Sequence, residues 1–356
     1  LLLGASYAGS AYSPMLADLF FMVKNESYMS LASPELLKAV TFKDVTREEI
    51  GAATLHAEVS GSCDYLAENE EECLKKCREL LAFLPSNCKE RPQFVDTGDD
   101  PNRREEDLLN FAPTCSSEFY DMHEVISRIV DNGHFLELKR EYARNMITGF
   151  ARLGGYSIGI AANNPACLRG AMDIAAAEKE ARFIRLCDAY NVPLIFLADT
   201  PGYISDFEEE KKGLLRHGAM EVFAVCEATV PKITLYIGKC YGESSLAMCT
   251  RQMGGDLALA WPGAQLGPVE PERAVDMIFG KEIESAEKPD ELRERRRREL
   301  MESHYPSPFH AASITLTVDD IIDPRDTRPT LIAALEMAVG KESTGRPWKK
   351  QGNIPL

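Results

Sequence analysis

The chain has 356 residues, of which 45% are hydrophobic and 27% charged, and a net charge of −16. So acidic a balance lacks the basic stripe that releases counterions from nucleic acid, which excludes a nucleic-acid surface as the main role. No apolar run approaches the roughly 20 residues that cross a bilayer, so no membrane insertion is expected, and the length suggests about two domains. Leu1–Ala5 shows no basic start or cleavage site, so no signal peptide is read. The ten cysteines have no paired framework and no C-x-x-C spacing. They read as reduced thiols of a cytoplasmic protein, with no metal site expected.

A strand is expected at Leu1–Gly4, a small-residue turn at Ala5–Ala11 and a strand-like run at Leu19–Val23. Short helices follow around Pro34–Val40 and Arg47–Ala52. Glu68–Leu84 reads as a helix with Cys73, Cys77, Leu80 and Leu81 on its apolar positions. Lys89–Glu106 is polar and rich in Asp, Arg and Pro, and reads as a linker between two domains. The spacing then predicts a helix at Met122–Asp131, a strand at Phe135–Leu138 and a hairpin-like pair at Ile147–Leu153 and Ser157–Ala162. Helices at Ala171–Asp188 and Gly213–Ala228 alternate with buried strands at Val192–Ala198 and Lys232–Gly238. Ser245–Met253 reads as helical, Leu257–Ala260 and Gln265–Gly267 as short strands. Pro271–Phe279, Glu287–Tyr305 and Arg328–Val339 close the chain as helices. Buried strands alternating with helices predict an α/β fold with a largely parallel sheet.

Three turns carry residues suited to chemistry. Asp199-Thr200-Pro201-Gly202-Tyr203 follows a buried strand directly, and ligands of open α/β sheets bind outside such strand ends. Lys239-Cys240-Tyr241-Gly242-Glu243-Ser244-Ser245 follows the next buried strand, and backbone N–H groups at such a helix start can hold an oxyanion. An ordinary strand-to-helix turn, capped by Ser244 or Ser245, would look the same. Gly4–Pro14 repeats the strand-to-small-turn element in the first part of the chain.

Taken with these turns, nine ordered stretches make the resemblance specific: Ala11–Leu16 (AYSPML), Gly159–Pro165 (GIAANNP), Ala181–Val192 (ARFIRLCDAYNV), Asp199–Tyr203 (DTPGY), Arg216–Ala219 (RHGA), Glu227–Lys232 (EATVPK), Ala260–Pro262 (AWP), Asp319–Pro324 (DDIIDP) and Arg346–Leu356 (RPWKKQGNIPL). The chain resembles the carboxyltransferase (β) subunit of biotin-dependent acyl-CoA carboxylases of the propionyl-CoA type. The resemblance implies a crotonase-like ββα spiral with one partial and one complete domain. Residues 1–110 would be the C-terminal part of an N-terminal carboxyltransferase domain plus linker, and residues 117–356 a complete C-terminal one. It also implies transfer of CO2 from carboxybiotin, held on a biotin carboxyl carrier protein, to the α-carbon of propionyl-CoA or acetyl-CoA. A biotin carboxylase subunit is the implied partner enzyme and a dimer-of-rings hexamer the implied homo-oligomer. The expected location is cytoplasmic, or the mitochondrial matrix in a eukaryote.

By alignment to the family's motifs, the thioester oxyanion hole falls on Ala8 and Gly9 and the biotin hole on Glu243 and Ser244, with Gly242 before them also implied as catalytic. Pro201, Gly202, Tyr203, Leu246 and Asn163 are the implied substrate- or biotin-binding residues. The chain departs from the family at four places. Gly242-Glu243-Ser244 stands where Gly-Gly-Ala is usual, and Glu tolerates a positive φ poorly. Leu246 replaces a frequent Asp. Gly267-Pro268-Val269-Glu270-Pro271-Glu272 replaces a stretch of small residues. The front of the N domain is absent from this sequence, which implies another chain supplying it, a fragment or a shortened product. Two other readings follow: a decarboxylase of the methylmalonyl-CoA or glutaconyl-CoA type, and a non-catalytic assembly subunit of the same fold. The arginine run at 293–298 reads as a solvated, ion-paired face, His217 as a packed histidine and Trp261 as core.

Overall fold

The first four strands are short. In the computed structural model, which describes residues 1–111, 119–305, 307–315 and 317–341, they are β1 (Ala5–Tyr7), β2 (Phe21–Val23), β3 (Tyr28–Ser30) and β4 (Tyr65–Ala67). β1 pairs with β3 and β2 with β4, both in parallel. The boundary expected at residue 117 and the Arg346–Leu356 match lie outside the described residues.

Eight further strands form one sheet: β5 (Phe135–Leu138), β6 (Met146–Leu153), β7 (Tyr156–Asn163), β8 (Leu194–Thr200), β9 (Lys232–Tyr241), β10 (Leu257–Ala260), β11 (Gln265–Gly267) and β12 (Asp320–Ile321). Their order is β12-β10-β9-β8-β7-β6-β5. β5, β6 and β7 are antiparallel neighbours, and the pairings from β7 to β12 are parallel. β9 is long enough to take β10 along Ile233–Tyr236 and β11 along Lys239–Tyr241. The β6–β7 hairpin closes through Gly154 (φ +57°) and Gly155 (φ +83°), the left-handed pair that a two-residue turn matched to strand twist requires.

β8 is buried along its whole length because both faces of the sheet are covered. Leu194, Phe196 and Ala198 join Phe150, Ala161 and Tyr236 beneath the helices Ile174–Ala189 and Leu214–Glu227. Ile195 and Leu197 join Ile160, Ile233 and Leu235 against the helices Met122–Ile129 and Thr327–Ala338. Strand period two sorts one apolar run onto two cores. The Ile174–Ala189 helix starts where the Asp173 side chain accepts the Ala176 amide at 2.9 Å.

The two expected units share a core. Phe21, Val23, Ala67, Leu80 and Phe83 belong to the cluster that contains Phe150 and Phe183. The Phe83 and Phe150 rings stack with centroids 6.0 Å apart, and Phe150 meets Phe183 at 5.4 Å. The buried Lys139 ammonium lies 3.3 Å from Asp64 and donates to the Gly61 carbonyl, while Asp64 accepts the Phe20 amide at 2.7 Å. The Lys89–Glu106 segment is accordingly a strap and not a free linker. The Val95 amide bonds the Gly155 carbonyl at 3.0 Å, Asp99 accepts the Asn132 amide at 2.8 Å, and Arg103 pairs with Asp99 at 3.0 Å. The polar composition that suggested a tether is spent on these bonds.

Two element expectations shift. The strand placed at Leu1–Gly4 forms at Ala5–Tyr7, with Leu2 making only an isolated bridge to Met22. The helix placed at Ser245–Met253 stops at Ala247, because Cys249 takes φ +57° and the Thr234 hydroxyl captures the Cys249 carbonyl at 2.7 Å.

A buried ion pair joins strap, hairpin and last helix. Arg328, fully buried, donates to Asp131 at 2.7 Å, to the Ile129 carbonyl at 2.7 Å and to the Asp100 carbonyl at 3.1 Å. Asp131 also accepts the Gly154 and Gly155 amides at 2.8 Å each and the Thr97 hydroxyl at 2.9 Å. Burial pushes this carboxyl up, but the Gly155 amide, Arg328 and the Gly154 amide outweigh it and hold it below the usual range. A depressed folded value contributes stability above the unfolded pKa and loses it as pH falls through the folded one. Arg328→Met should therefore cost about 3–5 kcal/mol in urea denaturation, by stranding a buried carboxylate. Asp131→Asn should flatten the decline in wild-type stability expected below about pH 4.

Candidate functional site

The ends of β7 and β9 and the segment before the Met122–Ile129 helix converge on Asp199 at the carboxyl end of β8. Its Oδ1 accepts the Lys239 amide at 3.0 Å, its Oδ2 accepts the Tyr120 hydroxyl at 2.8 Å, and its own amide donates to the Asn163 side chain at 3.2 Å. The β8–β9 register breaks here, from Ala198–Tyr236 to Thr200–Cys240. The carboxylate fills the gap that the break leaves, and a Cβ on Gly238 would lie 2.3 Å from its Oδ2. On the other side, a Cβ on Gly170 would lie 2.3 Å from the Asp199 carbonyl oxygen. Burial raises the Asp199 pKa above the ordinary carboxylate value, against the lowering pull of Tyr120 and the Lys239 amide.

Beyond Asp199 the chain turns at Pro201 and Gly202, the latter at φ +120°. The turn is pinned to the Gly170 loop, because the Met172 amide donates to the Gly202 carbonyl at 3.1 Å and the Ile204 amide to the Met172 carbonyl at 2.8 Å. Tyr203 lies over the Leu214–Glu227 helix at Gly218, where an added Cβ would come 3.2 Å from the phenol oxygen, and its hydroxyl donates to Glu221. The hydroxyl is thus committed inward, and burial followed by Glu221 pushes its pKa far up.

The second turn lies at the end of β9. Gly242 takes φ +63°, and its amide donates to the Gly267 carbonyl at 2.9 Å. Glu243 has ordinary right-handed backbone, φ −68° and ψ −22°. The strain expected at Glu243 therefore does not arise: the positive φ falls on the glycine before it. The Ser244 hydroxyl bonds the Tyr241 carbonyl at 2.8 Å and Ser245 bonds the Gly242 carbonyl at 2.7 Å. These bonds hold the turn by its carbonyls, and the Glu243 and Ser244 amides have no hydrogen-bond acceptor among the described residues. The Glu243 side chain is exposed, and Leu246 is half-buried one turn on. The Gly267–Glu272 stretch braces this turn from below. Tyr305 bonds the Val269 carbonyl at 2.7 Å, Glu270 pairs with Arg169 at 2.6 Å, and Pro271 starts a helix.

The turns at 200–203 and 242–244 therefore sit together at the ends of adjacent parallel strands. Ala8 and Gly9 do not join them: they follow β1 in a separate sheet, exposed, and no hydrogen bond or ion pair among the described residues links them to 242–244. Ala8 repeats the Gly242 geometry with φ +52° ahead of a short 3-10 turn. Asn163 is fully buried, so it supports Asp199 from within and does not line an open surface. His217 is buried between Arg216 at 2.8 Å and Glu178 at 3.0 Å. Trp261 is core and bonds Thr327 at 2.9 Å. The arginine run pairs across to the Pro271–Glu284 helix through Asp276, Glu272 at 2.9 Å and Glu282 at 2.7 Å.

Sequence reasoning assigned no role to Asp199, Glu180 or Glu221. A signal existed for Glu180, an acid on the apolar stripe formed by Ala176, Ala177, Ala181 and Ile184.

The carboxyl transferase domain family matches residues 1–354. The chain is 43% identical over 355 residues to the methylmalonyl-CoA decarboxylase subunit alpha of Veillonella parvula, covering 100% of this chain and 68% of that one. It is 40% identical over 358 residues to the propionyl-CoA carboxylase carboxyltransferase subunit of Haloferax mediterranei, covering 100% of this chain and 68% of that one. The crystal structure of transcarboxylase 12S, a hexamer with methylmalonyl-coenzyme A bound, superposes with a TM-score of 0.91 at 41% identity, over 99% of this chain and 67% of that one. The chain thus spans about two thirds of each relative's length.

Asp199→Ala should cost about 2–4 kcal/mol by unpairing the Tyr120 hydroxyl and Lys239 amide. Gly238→Ala should cost about 1–3 kcal/mol by overpacking. The double variant should cost less than the sum by about 1 kcal/mol or more in urea denaturation, because removing the carboxylate makes room for the methyl group.

Proposed function

The chain belongs to the carboxyl transferase domain family, and on that premise we propose that it moves a carboxyl group between biotin on a carrier protein and the α-carbon of a short acyl-CoA. The observation that carries this reading is the pair of unpaired amides at Glu243 and Ser244, beside the Thr200–Tyr203 turn. Preorganised N–H donors of this kind stabilise an oxygen that gains charge in the transition state. Biotin, when bound, supplies the carboxyl group and a ureido oxygen that becomes more negative as that group leaves. The Glu243 and Ser244 amides suit that oxygen, and Gly242 presents them at no conformational cost. Ala8 and Gly9 would serve the thioester oxygen in the same way. They lie apart from the second turn in one chain, which supports a site completed between subunits of a homo-oligomer. Residues 1–110 are then read as the later part of the CoA-side domain and residues 117–356 as the biotin-side domain, both crotonase-like.

Methylmalonyl-CoA and propionyl-CoA are the proposed pair, since relatives named for both share 40% identity or more with this chain. A biotin carboxylase or decarboxylase assembly would supply the partners. Glu243 beside the amides is the observation that favours the rival reading, a non-catalytic assembly subunit, because a carboxylate there opposes a second negative charge.

The assembled protein, given methylmalonyl-CoA and free biotin, should release propionyl-CoA. Gly242→Val should lower kcat by about 100-fold or more, the cost of losing one oxyanion donor, with oligomeric state unchanged. Absence of turnover in an intact oligomer would support the assembly role instead.

A further inference from the structure

Directly behind the Tyr203 ring, two acids face each other where no acid would be placed for packing. Glu180, on the Ile174–Ala189 helix, and Glu221, on the Leu214–Glu227 helix, are both fully buried, with their carboxyl groups in hydrogen-bond reach of each other. Written as two carboxylates, three of their four oxygens would lack a donor, the exception being the Glu221 Oε2 that accepts the Tyr203 hydroxyl. Among the described residues the groups that act on the pair are Tyr203 from the turn and Cys249 from the loop after β9, with Glu243 acting on Tyr203, and none is cationic. His217, four residues before Glu221, is taken up by Glu178 and Arg216.

We propose that Glu180 and Glu221 share a single proton, and that this buried pair is the positioning device for Tyr203 in the carboxyl-transfer site. The proposal rests on reading the 200–203 and 242–244 turns as the biotin side of that site. Two carboxylates in a dry site cannot both ionise, so one stays protonated and donates to the other. Burial raises both above the ordinary glutamate value, Glu180 most strongly. Glu180 is then the donor, and Glu221 is a carboxylate accepting from Glu180 on one side and from Tyr203 on the other. The phenol is drawn inward, and the ring, not the hydroxyl, is the surface that Tyr203 offers next to Glu243 and Ser244. Loss of the shared proton at high pH puts two charges in contact, and the pair and the ring must part. Below that titration the ring is held.

Glu180→Gln separates this device from simple packing. The amide has the shape of the protonated acid and donates to Glu221 at every pH. The assembled enzyme should show a biotin KM that rises as pH is raised through the loss of the shared proton, and Glu180→Gln should abolish that rise. Glu221→Leu and Tyr203→Phe should raise the biotin KM about fivefold or more at all pH values, the worth of one hydrogen bond, and leave the acyl-CoA KM unchanged. Infrared difference spectra should show a protonated carboxyl band at pH 7 that is missing in Glu180→Gln. A wild type without that band, or variants whose biotin KM matches the wild type across the pH range, would overturn the proposal. A wild type that shows the band and yet turns over no acyl-CoA with biotin would overturn the functional reading, and the positioning role with it, leaving the shared proton standing.

Discussion

The geometry of the site depends on one carboxylate pushed between two strands. Parallel β8 and β9 would ordinarily stay in register to their ends, and the turns beyond them would leave side by side at the same level. Asp199 prevents this. Its side chain takes the Lys239 amide that the ladder gives up and occupies the space that Gly238 leaves open. β9 then runs on to Tyr241, pairs its far end with β11, and delivers Gly242 beside the Thr200–Tyr203 turn. Asn163 and Tyr120 complete the grip from the end of β7 and from the segment before the Met122–Ile129 helix. A buried acid is costly unless its lone pairs are used, and here the bonds that use them also place the turns.

Three of the buried acidic centres solve the same problem in different ways. Asp131 is met by a guanidinium and three neutral donors, and stays ionised. Asp199 is met by neutral donors alone, and its pKa rises. Among the described residues Glu180 and Glu221 have only each other and a phenol, so they are left to share. The first centre lies far from the turns and ties the strap to the last helix. The other two lie directly under the turns. Charge is neutralised where the chain needs only stability, and left adjustable where ring and amides must be held in place.

The two oxyanion-type turns show the same backbone device made from different residues. Gly242 takes its left-handed conformation freely, whereas Ala8 does so with a Cβ, a cost of roughly 1–2 kcal/mol. In both, a serine hydroxyl fastens the turn by a carbonyl, Ser244 to Tyr241 and Ser10 to Tyr7. The first turn is exposed and the second is set against β11 and the Gly267–Glu272 stretch, so within one chain they are not two halves of a closed cleft.

Much of this was legible in the residues. Apolar runs marked β8 and β9, two adjacent strand-like runs marked the hairpin, and the Asp199–Tyr203 and Gly242–Ser244 turns stood out because they follow strands directly. Those are local properties, set by strand period and by which residues tolerate a positive φ. What the residue order could not show was partnership across long separations. The Lys89–Glu106 strap looked like a tether because hydrogen-bond partners such as Asn132 and Gly155 sit more than 30 residues away. Asn163 looked like a ligand residue because nothing local says that its amide is buried against Asp199. Glu180 and Glu221 lie on two helices 41 residues apart, and nothing in the residue order pairs them. Only packing, which brings distant side chains into a space too dry to keep both ionised, turns that pair into one titrating unit.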